Sequence, residues 1–234
     1  MVNSLLCRVA DALLPGRCRQ CLADGIGGID LCPACYRELP RLQDSCVRCA
    51  EPLHQTEAAL CGRCLHEAPA FSRARIPFLY APPVSAWIMA LKYRNDLSAG
   101  RLLGRLLAQH LKRQAIAADL LVPVPLHDSR FVERGFNQAR EISLAVCRHL
   151  GKPHDPTCLN RTRATSQQSA LPRRERRSNV RKAFIADRCV AGLRVALLDD
   201  VLTTGSTADA AADALLRAGA RDVEIWAVAR TLKR

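Results

Sequence analysis

Four Cys-x-x-Cys pairs stand before residue 65: Cys18/Cys21, Cys32/Cys35, Cys46/Cys49 and Cys61/Cys64. Each tight turn presents two thiols, and four soft thiolates fill the tetrahedral shell of a zinc ion. Two pairs make a closed site with no coordination position left for water or substrate, so such a site is structural. Ten residues separate Cys21 from Cys32, ten separate Cys35 from Cys46, and eleven separate Cys49 from Cys61. This even spacing reads as small hairpins joining knuckles. Sequential and interleaved pairing of the motifs both satisfy two zinc ions, and an iron–sulfur cluster is a minor alternative. With eight thiolates available, His54 and His66 read as bystanders. Residues 1–70 carry few long apolar runs, so metal binding supplies folding free energy that a small core cannot. On this reading, removing zinc unfolds residues 1–70 and spares much of the rest.

The same cysteines bear on compartment. A secreted disulfide scaffold is a shorter chain behind a leader. Here the first apolar run is broken by Arg8 and Asp11, a poor leader core. No stretch approaches the ~18 uninterrupted apolar residues of a membrane span. The expectation is a cytoplasmic protein, with peripheral attachment at the inner membrane as the alternative.

From Phe71 onward the texture is α/β, giving an expected division into residues 1–70 and 71–234. Short apolar strands are expected at 76–80, 120–125, 193–198 and 223–229, and helices at 84–93, 98–118, 137–150 and 207–218. In the second helix Leu102, Leu103, Leu106, Leu107 and Leu111 recur at helical spacing, with Arg101, Arg105 and Lys112 opposite. Gly151 and Gly219 are natural helix terminators. Strands alternating with helices argue for a mostly parallel sheet.

The segment 193–207 carries the sharpest chemistry. An apolar strand leads into Asp199-Asp200, then Val-Leu, then Thr203-Thr204-Gly205-Ser206-Thr207, where a helix begins. Hydroxyls and free amides at a helix N-terminus cradle a phosphate, and the helix dipole favours its charge. Gly205 lets the backbone approach closely. Two carboxylates beside a phosphate alone would repel it. They fit a phosphate hung from a sugar, whose hydroxyls donate to Asp199 and Asp200. The carboxyl end of a sheet strand is also where open α/β folds bind ligands.

Charge supports an acidic partner. The chain has 35 Lys and Arg against 22 Asp and Glu, a formal net charge of +13, and stays basic after two zinc ions bind eight thiolates. Residues 159–182 hold eight of the basic residues and one acidic one, a density suited to phosphate. Arg173, Arg174, Arg176 and Arg177 are the candidate nucleic-acid contacts. A solvated loop face serving only a phosphorylated small molecule is the competing reading.

The segment 195–207 resembles the phosphoribosyl-pyrophosphate (PRPP) signature of the type I phosphoribosyltransferases. Val122-Pro123-Val124-Pro125, Arg134-Gly135-Phe136-Asn137-Gln138-Ala139, Arg161-Thr162-Arg163-Ala164-Thr165 and Arg176–Phe184 resemble the competence protein F family. The Cys-rich module ending Cys61-Gly62-Arg63-Cys64 is similar to that family's double zinc ribbon. The resemblance implies a type I phosphoribosyltransferase-like parallel sheet with a small hood, and PRPP as ligand with Mg²⁺. It also implies a pyrophosphate loop at 126–134, a mobile flap at 161–182, and Arg134 and Arg163 as pyrophosphate contacts. The function it implies is a PRPP-binding, zinc-containing protein of natural competence. Such a protein would handle incoming single-stranded DNA with DNA-uptake partners. An active phosphoribosyltransferase of unknown acceptor, or a PRPP sensor without turnover, are the alternatives.

Overall fold

The structure is a computed structural model that describes residues 16–26, 28–53, 59–162 and 183–232. By backbone contacts the chain divides into two compact units, Met1–Pro40 and Arg41–Arg234. The division falls after the second Cys-x-x-Cys pair, not near residue 70, so the third and fourth pairs lie in the same unit as the sheet.

The smaller unit is a knuckle and a short helix. Arg17 and Asp24 face each other across the first turn, as do Ile26 and Ile29. A Cβ on Gly25 would come within 2.5 Å of the Gly16 carbonyl oxygen and 2.6 Å of that of Ile29, so only glycine fits. Helix α1 (Pro33–Arg37) starts with proline and is capped by Cys32, whose Sγ accepts from the Cys35 amide at 3.5 Å.

In the larger unit, α2 (Gly62–His66) belongs to the fourth Cys pair. The elements then run β1 (Arg73–Arg75), β2 (Phe78–Leu79), α3 (Val84–Arg94), α4 (Leu97–Lys112), β3 (Leu120–Pro123), α5 (Asp128–Arg134) and α6 (Gln138–Leu150). They continue with β4 (Leu159–Arg161), β5 (Phe184–Ala186), β6 (Arg194–Leu202), α7 (Ser206–Arg217) and β7 (Asp222–Arg230). The sheet order is β1–β7–β6–β3 with β2 also on β7, and every pairing is parallel. β4 and β5 form a separate antiparallel pair.

Alternation along the strands sorts the core. Val195 and Leu197 of β6, with Val223 and Ile225 of β7, pack with Ala208, Ala211 and Leu215 of α7. Cys46, Cys49, Ala50 and Cys64 belong to that same buried cluster. α4 lies tightly on α6 at Gly104, where a Cβ would stand 2.5 Å from the Ala145 Cβ and 2.8 Å from the Ile142 carbonyl oxygen. Backbone cannot yield there cheaply. Gly104→Ala is therefore expected to cost about 1–3 kcal/mol by overpacking, against a helix-propensity gain of at most about 1 kcal/mol. Urea denaturation of the zinc-loaded protein measures the sign; a net gain in stability would contradict the close approach.

The structure departs from the sequence expectation in several places, beginning with the strand expected over 76–80, which is replaced by β1 and β2 on either side of Ile76-Pro77. α4 ends at Lys112 instead of continuing to 118, because the following turn serves buried Arg75. Gln114 Oε1 accepts from Arg75 Nη1 at 2.5 Å and the Ala115 carbonyl from Nη2 at 3.0 Å. β6 runs on to Leu202, so Asp199 and Asp200 lie inside the strand. Residues 128–134, expected as a pyrophosphate loop, are helical as α5.

Candidate functional site

The site is built at the carboxyl end of β6. β3 stops at Pro123, which pairs with Leu198, while β6 continues four residues further. Asp199 and Asp200 thus extend past the neighbouring strand and point to opposite faces of the sheet. Asp200 is buried at 4% exposure and forms an ion pair with Lys92 Nζ from the last turn of α3. Asp199 is half-buried, and its Oδ1 accepts from the Asp200 amide at 2.8 Å. Burial, then the adjacent Asp200 carboxylate, pushes the Asp199 carboxyl well above its ordinary range. Burial works to lower the Lys92 pKa, but Asp200, Asp199 and Tyr80 outweigh it and raise it. The Asp199 charge also acts on half-buried Arg161 of β4. The carboxylates therefore sit in the field of a lysine and an arginine.

The loop after β6 is open. Thr203, Thr204 and Ser206 are exposed and Thr207 is half-buried. Gly205 takes φ +82° as the residue before α7 and offers no side-chain cap, while the Thr204 hydroxyl accepts from the Ser206 amide at 3.4 Å. Thr204 Oγ1 lies 3.0 Å from Ser206 Oγ. The positive end of a three-turn helix thus faces outward beside two hydroxyls, the arrangement that receives an anion.

Two arginines hold this loop. Arg63, exposed in the Cys61–Cys64 knuckle, donates from Nη1 to the Thr204 carbonyl at 2.8 Å. Its Nη2 would be 3.4 Å from a Cβ on Gly205. A guanidinium at the positive end of a helix is unfavourable unless an anion joins it. Arg230, 1% exposed at the end of β7, donates to the carbonyls of Leu202 at 2.9 Å, Cys49 at 3.3 Å and Thr203. Its Nη2 pairs with Glu51 Oε2 at 2.5 Å. Sequence reasoning missed Lys92, Arg63 and Arg230. Arg63 is 141 residues from Thr204 and Arg230 is 181 from Cys49, separations across which no local motif forms.

The eight cysteines gather into two groups, Cys18, Cys21, Cys32 and Cys35, and Cys46, Cys49, Cys61 and Cys64. Pairing is sequential. Cys21 and Cys32 sulfurs stand 3.6 Å apart, and those of Cys49 and Cys61 stand 3.5 Å apart. Thiolates at ~2.3 Å around one tetrahedral zinc are separated by about 3.8 Å, so both groups fit zinc. Burial raises the Cys18 and Cys46 thiols, but the amides of Cys32, Cys21 and Gln20 and of Cys61, Cys49 and Arg48 outweigh it, bringing them down to about 6 and about 7. Burial and the neighbouring thiols push Cys35 and Cys64 up. A bound cation is what lets all four ionise together.

Of the remaining expected residues, Arg134 ends α5, donates to Gln138 Oε1 at 3.3 Å and lies over the Tyr93 ring at 5.4 Å. Arg163, Arg173, Arg174, Arg176 and Arg177 lie outside the described residues, as does His54. Among the described residues, no helix is long and apolar enough to cross a membrane.

Ribbon and sheet together define a zinc-ribbon protein with a parallel α/β unit. Residues 9–65 match the double zinc ribbon domain. The chain is 35% identical to the DNA utilization protein YhgH of Escherichia coli K12 over 94% of its own length and 99% of that protein's. It is 32% identical to competence protein F of Haemophilus influenzae over 92% and 96% of the two chains. The chain belongs to the competence protein F family. Similar solved structures include the glutamine PRPP amidotransferase of B. subtilis, at 28% identity and a TM-score of 0.40, covering 56% of this chain and 26% of that one.

Proposed function

We propose that the protein binds PRPP at the carboxyl end of β6 and serves DNA uptake or utilisation in the manner its family names imply. The observation that supports the ligand reading is the N-terminus of α7, with the exposed hydroxyls of Thr203, Thr204 and Ser206, on the strand end that carries two carboxylates. The 5-phosphate would take the Ser206 and Thr207 amides and the Thr203, Thr204 and Ser206 hydroxyls. Arg63 would lend its second amino group. The ribose hydroxyls would donate to Asp199 and Asp200. Mg²⁺ would arrive on the pyrophosphate oxygens as part of the ligand, with Arg134 and Arg163 the candidate protein contacts to that end. Pyrophosphate departure, where an acceptor is present, would need only positioning and charge, with electron-poor character at the anomeric carbon opposite Asp199.

Calorimetric titration tests this. PRPP with Mg²⁺ is expected to bind the zinc-loaded protein. Arg63→Gln is expected to lose about 10–100-fold in affinity for PRPP and for ribose 5-phosphate alike, the worth of one charge-assisted bond at about 1.5–3 kcal/mol. No heat with the wild-type chain would refute the reading. Pyrophosphate release across purine, pyrimidine and amine acceptors then separates a transferase from a sensor.

Single-stranded DNA is supported by a second observation. Tyr93 is 61% exposed and Phe131 47% exposed, one turn from Arg134 on α5, and Arg94 and Arg130 adjoin them. Aromatic faces beside basic groups are what stacking on single strands requires. Tyr93→Ala with Phe131→Ala is expected to weaken binding by about 1–3 kcal/mol per base lost. Mobility shifts at two salt concentrations read this; unchanged affinity would remove these two rings from the interface.

A further inference from the structure

Away from the zinc groups, a third cluster joins Asp155, Cys158 and Cys189. Cys158 directly precedes β4 and is 1% exposed, while Cys189 lies in the single helical turn after β5 and is exposed. Pairing of β4 with β5 brings them together. Leu159 sits opposite Ala186, and the Asp187 amide donates to the Cys158 carbonyl at 2.8 Å. The two sulfurs are then 2.8 Å apart.

This geometry differs from that of the zinc groups. There the neighbouring sulfurs stand 3.5–3.6 Å apart, close to the edge of a thiolate tetrahedron. At 2.8 Å the sulfurs of Cys158 and Cys189 are too close to share a tetrahedral zinc comfortably. The Asp155 carboxylate is already engaged, its Oδ1 accepting from the Thr157 amide at 2.7 Å and the Thr157 hydroxyl at 2.6 Å. That turn accounts for Asp155 without a metal.

We propose that Cys158 and Cys189 form a redox dithiol site that peroxide converts to an intramolecular disulfide across the base of the β4–β5 hairpin. Exposed Cys189 is the sulfur that meets the oxidant. It takes one oxygen atom from hydrogen peroxide to become a sulfenic acid, and one water leaves. The Cys158 sulfur then attacks that sulfur. The S–S bond forms, the S–O bond breaks, and the hydroxide leaves with the Cys158 proton as a second water. Two thiols lose two hydrogens and the peroxide is reduced to two waters. Burial and the Asp155 carboxylate push the Cys158 thiol up. The link closes the chain from 158 to 189, which includes the basic segment, and fixes a hairpin whose β5 lies in the core with α7.

The test is stoichiometric peroxide on the zinc-loaded full chain, then alkylation of free thiols, digestion and mass spectrometry, with zinc content measured in parallel. The expected result is a peptide pair joined through Cys158 and Cys189, lighter by two hydrogens and separated by a thiol reductant, with zinc retained. Cys189→Ser, a change at an exposed position, is expected to abolish the link and leave Cys158 alkylatable on unfolding. Both cysteines alkylated after peroxide, or a link from Cys189 to another chain, would overturn the proposal. So would an additional zinc equivalent that Cys189→Ser removes, which would assign the cluster to a metal.

Discussion

Arg230→Met is expected to destabilise the zinc-loaded protein by about 3–5 kcal/mol, the cost of removing one partner from a buried ion pair. The guanidinium is 1% exposed and Glu51, its partner, 16%. Its loss removes the ion pair to Glu51 and the guanidinium bonds to the carbonyls of Cys49, Leu202 and Thr203. Folding stabilities are about 5–15 kcal/mol in total, so the effect is a large share. The Cys49 carbonyl belongs to the second metal group and the Thr203 carbonyl to the proposed phosphate loop. The variant is therefore expected to release one zinc at lower chelator concentration and to bind PRPP more weakly. Arg230→Lys keeps the charge but not the planar fork, and is expected to recover only part of the loss. Urea denaturation with a chelator titration reads both effects; a cost under about 1 kcal/mol would show that the bonds are not maintained.

The second large effect has opposite signs on stability and binding. Asp199→Asn is expected to raise folding stability by about 1 kcal/mol and to weaken PRPP binding at least tenfold. Asp199 has a folded-state pKa raised above its ordinary value of 3.8 by burial and by Asp200. The folded state therefore holds the proton more tightly than the unfolded chain. The stability this confers is fully present below about pH 3.8 and is lost as pH rises through the elevated pKa. At neutral pH the ionised group is a cost, which the sugar hydroxyls of the proposed ligand would offset. Asparagine removes both the cost and its pH dependence. Thermal melts from acid to neutral pH should show the wild-type and variant curves diverging as pH rises; parallel curves would mean that Asp199 is not strained.

Much of this was legible in residue order because the informative features are local. Four Cys-x-x-Cys turns announce metal, and an apolar run into Asp-Asp and Thr-Thr-Gly-Ser-Thr announces a strand, a loop and a helix. The end of β6 was misplaced because two aspartates interrupt an apolar pattern, although a strand projecting past its neighbour can carry polar side chains. Sequential pairing of the cysteines was undetermined because spacing constrains turns, not which turns meet. Lys92, Arg63 and Arg230 were invisible for the same reason. Each reaches the loop or its carboxylates from an element remote in sequence.

That remoteness changes what zinc means here. Cys46, Cys49 and Cys64 are buried with the core under α7, and Arg63 and Arg230 tie their knuckles to the loop. The second metal group is part of the frame of the proposed ligand site, whereas the first lies in the compact unit that ends at Pro40. Loss of zinc at Cys46–Cys64 is therefore expected to reach the phosphate loop, a wider consequence than unfolding confined to residues 1–70.

The most direct measurement is a crystal of the zinc-loaded chain soaked with PRPP and Mg²⁺. The 5-phosphate is expected within hydrogen-bond distance of the Ser206 and Thr207 amides and Arg63, with ribose hydroxyls on Asp199 and Asp200. A ligand bound elsewhere, with the loop from Thr203 to Thr207 left in solvent, would contradict it.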